Sequence, residues 1–364
     1  MVPNDIRMLT HKLDTHDYIL EPLTKRIPFS KEPGGKFAEN GSFSRTPRQW
    51  LPSLSVVIPC FNEAANLNRL LPRLQDTLKT LVPNWEVILV DDGSSDHTPE
   101  LLEFWSGQSG FHAIQLSRNF GKEAALTAGL EASSCDVVVV MDADLQHSPE
   151  LIPTMLAQWQ RGYDVVYAVR EHRKDEGIIK RLGSRWFYRL VNAGGRFQVP
   201  ADAGDFRLMD NAAVNALLAL PERNRFMKGL YAWVGFSTTE ISYMPEARGN
   251  GRSAFNLFHL IGLSLDGLTA FTTWPLRIVS LIGLVLALLA FGYGGYLVVD
   301  FLLNGHPVPG WTTIVVGLML FSGIQLIGLG VLGEYVSRIF EEVKGRPLYV
   351  VRHRAGRSLR EDRP

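Results

Sequence analysis

Asp142 and Asp144 stand one residue apart directly after the apolar run 137–141, and Gln146 and His147 follow them. Two carboxylates so spaced can hold a hard divalent cation, Mg²⁺ or Mn²⁺, which takes oxygen ligands and typically bridges substrate phosphates instead of filling an all-protein cage. The amide oxygen of Gln146 is a further candidate ligand. A D-x-D pair alone is also a common solvated turn, so its surroundings decide. Three other apolar runs end in polar clusters. Pro59, Asn62 and Glu63 close the run 55–59, Asp91, Asp92, Ser94 and Asp96 follow 86–90, and Ser117, Arg118, Asn119 and Lys122 follow 113–116. Folding alone would need four coincident turns; one rim that handles phosphates and a metal accounts for all of them.

These clusters need a scaffold that brings strand ends together. From residue 53 onward, short β-branched runs alternate with helical patterns over 63–81, 98–105 and 122–132. Strands that are apolar throughout and alternate with helices predict an α/β layer with a mostly parallel sheet buried on both faces. Ligands of such sheets bind beyond the carboxyl ends of the strands, which is where the acidic residues fall. Lysine plus arginine number 37 and aspartate plus glutamate 37, so no global field argues for a nucleic-acid partner. Cys60 and Cys135 lie in or beside buried runs without metal spacing, as reduced core thiols do. Residues 1–52 mix charges with Pro, Gly and Ser and carry no apolar stretch of signal-peptide length. They are expected to form a poorly ordered extension.

After residue 274 the texture changes. Residues 278–299 and 311–332 are apolar and free of charge, long enough to cross a hydrocarbon core as helices. The link 300–310 has no Lys or Arg, whereas Arg277 precedes the first span and Arg338, Lys344, Arg346, Arg352, Arg354 and Arg357 follow the second. The positive-inside rule places both ends in the cytoplasm and the link outside. Residues 253–273 carry seven large apolar side chains from Phe255 to Leu265. Such a stretch suits an interfacial helix along the headgroups or an amphipathic helix packed on its own domain; adjacency to a span favours the membrane.

The combination V-D-D-G-S-S-D, L-S-R-N-F-G-K-E-A-A-L and M-D-A-D-L-Q-H is highly specific. Residues 53–255 resemble the inverting family 2 glycosyltransferases of GT-A fold. With the two spans, the chain resembles their polyprenyl-phosphate subgroup, which includes dolichol-phosphate mannose synthases and bactoprenol glucosyltransferases. The resemblance implies a Rossmann-like GT-A catalytic domain (53–252), interfacial helices (253–275), a two-helix transmembrane hairpin (276–333) and a basic cytoplasmic tail (334–364). It implies a cell-membrane enzyme that moves one hexose, UDP-glucose being the favoured donor, onto a polyprenyl phosphate with inversion. A homo-oligomer would form through the transmembrane helices.

Carried over by position, the family pattern implies that Pro59, Asn62, Glu63, Asp91, Asp92, Lys122 and Asp142 bind the nucleotide-sugar. Asp142, Asp144 and Gln146 match its metal site. Arg170, Arg181, Ser184 and Arg207 match acceptor-side positions, and Arg248, Arg252 and Ser253 a basic loop over the diphosphate. The lysine that often follows that serine is Ala254 here. Asp205, in a G-D-F-R element like that of the bacterial glucosyltransferases, is expected at the reacting centre with Asp144 and Arg170. Its alternative is a helix N-cap. A processive synthase would carry Q-x-x-R-W, which is absent, and a dinucleotide-binding oxidoreductase would carry G-x-G-x-x-G after the first strand, also absent. A catalytically silent membrane scaffold is the remaining alternative, and the intact Asp142, Asp144 and Arg170 speak against it.

Overall fold

The computed structural model describes residues 46–170, 203–223, 225–244, 274–304 and 310–356. Within this part an eight-stranded sheet has the order β7-β5-β6-β4-β1-β2-β3-β8. Its strands are β1 (Leu54–Cys60), β2 (Trp85–Asp91), β3 (Phe111–Leu116), β4 (Val137–Val140), β5 (Val165–Arg170), β6 (Ala203–Asp210), β7 (Thr238–Tyr243) and β8 (Val351–Ala355). β1 pairs in parallel with β2 and β4, β2 with β3, and β5 with β7. β6 runs antiparallel between β4 and β5, and β8 is antiparallel to β3. The helices are α1 (Ala64–Leu81), α2 (Thr98–Ser106), α3 (Lys122–Ala132), α4 (Ile152–Gln160), α5 (Asn211–Leu218), α6 (Met227–Trp233), α7 (Trp274–Asn304) and α8 (Trp311–Lys344).

The central strands are apolar because both faces are covered. All of Val137–Val140 is buried. In β1, Val56 and Ile58 join one core with α1 and α4, while Val57 joins the other with α3, α5 and α6, the period of two that a pleated strand dictates. A Cβ on Gly129 would collide with the side chain of Val57. That close approach seats α3 on β1 and fixes its first residue, Lys122, at the carboxyl rim. Buried polar groups lie at the opposite end of the sheet. The Glu86 carboxylate is fully buried and accepts from Ser55 Oγ at 2.6 Å and Ser134 N at 3.0 Å. Burial pushes its pKa up, but hydrogen bonds from His112, Ser55 and Ser134 prevail and hold it at about 2. Cys60 and Cys135 are buried and free.

α7 and α8 each contain a stretch long and apolar enough to cross a bilayer, Leu281–Asn304 with mean hydropathy 2.1 and Leu320–Lys344 with 1.3. Apolar residues along them are exposed, Phe291 at 80% and Leu303 at 78%. The expected interfacial stretch 253–273 lies outside the described residues, as do residues 305–309 of the link.

Of the basic tail expected for 334–364, the described residues run to 356. The helix continues to Lys344, held by an Arg338–Glu334 pair at 3.0 Å, and ends at left-handed Gly345. The chain then returns as β8 to cover the free edge of β3. Ser117 N donates to Val350 O at 2.8 Å, Tyr349 Oη donates to Glu131, and Arg223 N donates to Glu342 Oε1 at 2.9 Å. Sequence pattern hides this strand because an edge position leaves Arg352, His353 and Arg354 exposed, with Val351 and Ala355 only half-buried.

Candidate active site

Loops after the first three strands are locked to one another by hydrogen bonds. Asn62, with φ 57°, accepts from Ser95 N at 2.8 Å and its own N–H donates to Ser94 Oγ at 2.9 Å. Asp91 accepts from Ser94 N at 2.9 Å, and Asp92 accepts from Phe120 N at 2.7 Å and Gly121 N at 2.9 Å. Gly93 has φ 73°, and a Cβ there would lie 2.6 Å from the Arg118 backbone, so only glycine lets these two loops meet. Asp91 and Asp92 are both buried. Their carboxylates thus shape the rim as well as bordering it.

The chain following β4 alternates in burial: Met141, Ala143, Leu145 and His147 point inward, while Asp142, Asp144 and Gln146 stay partly open. Asp144 Oδ1 accepts from Gln146 N at 3.1 Å. β4 and β6 pair Val140 with Arg207; two residues further, the same register sets Asp142 opposite Asp205. Lys122 Nζ closes that gap, 2.7 Å from Asp142 Oδ1 and 2.6 Å from Asp205 Oδ2. Burial works against the charged ammonium, but the two carboxylates outweigh it and raise the Lys122 pKa. Burial likewise pushes Asp205 up, yet Lys122 and then Lys228 hold it at about 2.

Pro59, Glu63, Asp92, Lys122, Asp142, Asp144 and Gln146 line one cleft of about 470 Å³, with Phe61 and Asn119 beside them. Asn62 and Asp91 brace the loop at Ser94 and Ser95 beside it, and Asp205 touches it through Lys122. Burial raises the pKa of Glu63, the Asn66 amide opposes this, and Asp144 and Asp142 add to the rise. Arg170 ends β5 on the same rim, exposed and in register with Tyr243. Arg207 is placed differently from an open phosphate ligand: it is buried, stacked 3.4 Å over the Tyr231 ring, and donates to Gly204 O at 2.7 Å. Arg181, Ser184, Arg248, Arg252 and Ser253 lie outside the described residues.

Among the described residues no group of three or more His, Cys, Asp or Glu side chains could form a metal cage. Asp142, Asp144 and Gln146 fit a different kind of site, an all-oxygen donor set open to a cleft, which suits Mg²⁺ or Mn²⁺ shared with a phosphate. The ammonium on Asp142 is already a stand-in cation.

Two side chains here carry no signal in sequence spacing. His147 is buried, its ring 4.9 Å from Phe206 and 5.4 Å from Tyr243, and burial lowers its pKa. Glu123, next to Lys122, leaves Oε2 buried without a hydrogen-bond partner among the described residues. Burial, with Asp205 adding, pushes its pKa up to about 7. Across roughly pH 4.5 to 7 the folded state therefore keeps a proton that the unfolded chain releases, and stability falls as pH rises through that window. Glu123→Gln is expected to raise Tm at about pH 8 and to change it little at about pH 5. Equal shifts at both pH values in a thermal melt would show that the carboxyl does not titrate there.

Residues 55–218 match the family described as glycosyl transferase family 2. The chain is 42% identical over 82% of its length to an uncharacterized glycosyltransferase of Synechocystis sp., covering 94% of that protein. It is 39% identical, again over 82% of its length, to the SfII prophage-derived bactoprenol glucosyl transferase of Shigella flexneri, covering 97% of it. A looser likeness, 20% identity and TM-score 0.41 over 60% of this chain and 78% of the other, links it to Mycobacterium tuberculosis glucosyl-3-phosphoglycerate synthase solved with Mn²⁺ and UDP. The family match, the two full-length relatives and the acidic cleft on the carboxyl rim agree, and this chain belongs to glycosyl transferase family 2.

Proposed function

We propose that the protein transfers a single hexose, from UDP-glucose in the first instance, to a polyprenyl phosphate such as undecaprenyl phosphate, with inversion, at the cytoplasmic face of the cell membrane. The observation that carries this reading is the joining of an acidic transferase cleft to two long helices whose apolar side chains are exposed. A soluble enzyme rarely leaves a contiguous apolar surface of that extent uncovered. Relatives named bactoprenol glucosyl transferase support a lipid acceptor.

The acceptor is a phosphate monoester, largely dianionic near neutral pH with a second pKa of about 6. It is a competent nucleophile without a strong base. The harder task is to expel the nucleoside diphosphate. Asp142, Asp144 and Gln146 would hold Mg²⁺ or Mn²⁺, which supplies Lewis-acid stabilisation of the departing diphosphate. Lys122 adds a positive charge on the same wall. Arg170, exposed on the rim, is assigned to the acceptor phosphate, together with Arg181 and Ser184. Arg248, Arg252 and Ser253 are assigned to the diphosphate, and Arg207 supports the acceptor side from beneath, through its stacking on Tyr231. The two helices hold a lipid-borne phosphate near the rim, converting an encounter in three dimensions into one along the membrane.

Membranes containing the protein, given radiolabelled nucleotide-sugars one at a time with added undecaprenyl phosphate, are expected to put label from UDP-glucose into an organic-soluble, acid-labile product. Transfer from another donor alone would correct the sugar. Label in water-soluble products only would overturn the lipid acceptor.

A further inference from the structure

Asp142, just past β4, and Asp205, in the antiparallel β6, approach one another with side chains 23% and 19% exposed, and the single charge of Lys122 bridges them. Asp142 is also the first carboxylate assigned to the divalent cation. A cation bound there lies roughly 2.0–2.2 Å from the carboxylate oxygen, which makes it a close neighbour of an ammonium 2.7 Å from the same group. Like charges at that range repel strongly in a partly desolvated cleft. Each therefore weakens the other's hold on Asp142.

We propose that Lys122 and the divalent cation compete for Asp142, so that metal entry displaces the Lys122 ammonium from that carboxylate into the cleft, where it meets the donor diphosphate. The inference rests on the metal reading of the cleft and adds an order of events to it. Where Lys122 bridges them, it offsets part of the repulsion between the two crowded carboxylates. Once the metal takes Asp142, the lysine keeps Asp205 as its one carboxylate partner here, on a wall that faces the donor. A compact charge on a flexible four-carbon stem can make that move, and the Lys122 side chain is 42% exposed, so it has room. Coupling of this kind is reciprocal: a donor that draws Lys122 away from Asp142 also tightens the metal.

The test reads metal binding instead of turnover. Full-length protein in detergent is titrated with Mn²⁺ in the absence of nucleotide, and free Mn²⁺ is followed by electron paramagnetic resonance. Lys122→Met removes the charge and keeps the length, and it is expected to bind Mn²⁺ about 10-fold more tightly than wild type. Lys122→Arg keeps the cation and is expected to stay near wild type. A folded Lys122→Met that binds Mn²⁺ no more tightly than wild type overturns the competition and leaves the metal site standing. Absence of Mn²⁺ binding in the wild type and both variants overturns the metal reading and this inference with it. Should Lys122→Met fail to fold, the wild type carries the test alone. Mn²⁺ without nucleotide is expected to raise reductive methylation of Lys122 several-fold, as read by mass spectrometry, and unchanged labelling overturns the displacement.

Discussion

Asp144→Asn is expected to cut the rate of lipid-linked sugar formation by about 10³-fold or more, while the protein stays folded and in the membrane. The size follows from the task. Lewis-acid help to a departing diphosphate is worth several kcal/mol, and about 4 kcal/mol is a factor of 10³. The substitution is also structurally mild. Asp144 accepts from Gln146 N at 3.1 Å, and an asparagine amide oxygen can accept the same bond. Its neighbours Ala143 and Leu145 are buried and keep the turn in place. What asparagine cannot supply is the second anionic ligand beside Asp142. Initial rates with Mg²⁺ and with Mn²⁺, paired with thermal melts, separate loss of metal from loss of fold. Wild-type rates for this variant, or for the native protein in excess EDTA, would sink the metal assignment.

Asp91 and Asp92 make an instructive contrast. Their position at the end of β2 marks them as site residues in the sequence as clearly as Asp144, yet their carboxylates accept from backbone N–H groups of the Ser94, Phe120 and Gly121 region. Sequence spacing reports that a carboxylate stands on the rim. It does not report whether its lone pairs face the cleft or a neighbouring loop, because that depends on contacts between segments far apart in the chain.

The same limit separates what was legible in the fold from what was not. Val137–Val140 reads as a central strand because burial on both faces forces an unbroken β-branched run, and the structure buries all of it. β8 does not read as a strand, since Val351–Ala355 lies at an edge, shows solvent three charged or polar side chains, and gains its identity only from β3. Arg207 matched an acceptor-side position, but the strand phase that turns Phe206 and Leu208 toward one core sends Arg207 to the other, over Tyr231. Lys122 and Asp205, 83 residues apart in sequence, meet only because α3 packs on β1 and β6 pairs with β4. Residue types announced the chemistry; the pairings that tune it are tertiary.

Asp205 is where those pairings decide between readings. From sequence it could have been either a carboxylate at the reacting centre or a helix cap. The structure gives the cap to Asp210, whose side chain accepts from Ala212 N at 2.9 Å at the start of α5, and leaves Asp205 inside β6 with its carboxylate on Lys122. Asp205→Asn is therefore expected to lower kcat by about 10²-fold with little change in KM for the donor, the pattern of an interaction that matters more in the transition state than in the ground state. Asp210→Ala serves as the control. It should cost more stability than the roughly 0.5–2 kcal/mol of a lost cap, because the buried Trp159 Nε1 also loses its acceptor at 2.9 Å, and leave kcat alone. The pH profile then separates two ways in which Asp205 could act. Burial would raise its pKa, but Lys122 and Lys228 hold it near 2, so it stays ionised throughout the working range and is a weak acceptor of protons. A role in ordering Lys122 predicts that wild type and Asp205→Asn share one acid limb, set near pH 6 by the acceptor phosphate itself. A role as general base predicts that the variant loses a limb that the wild type shows. A near-wild-type kcat for Asp205→Asn would leave this carboxylate as a structural partner of Lys122 alone, with expulsion of the diphosphate resting on the metal ligands and the cations around them.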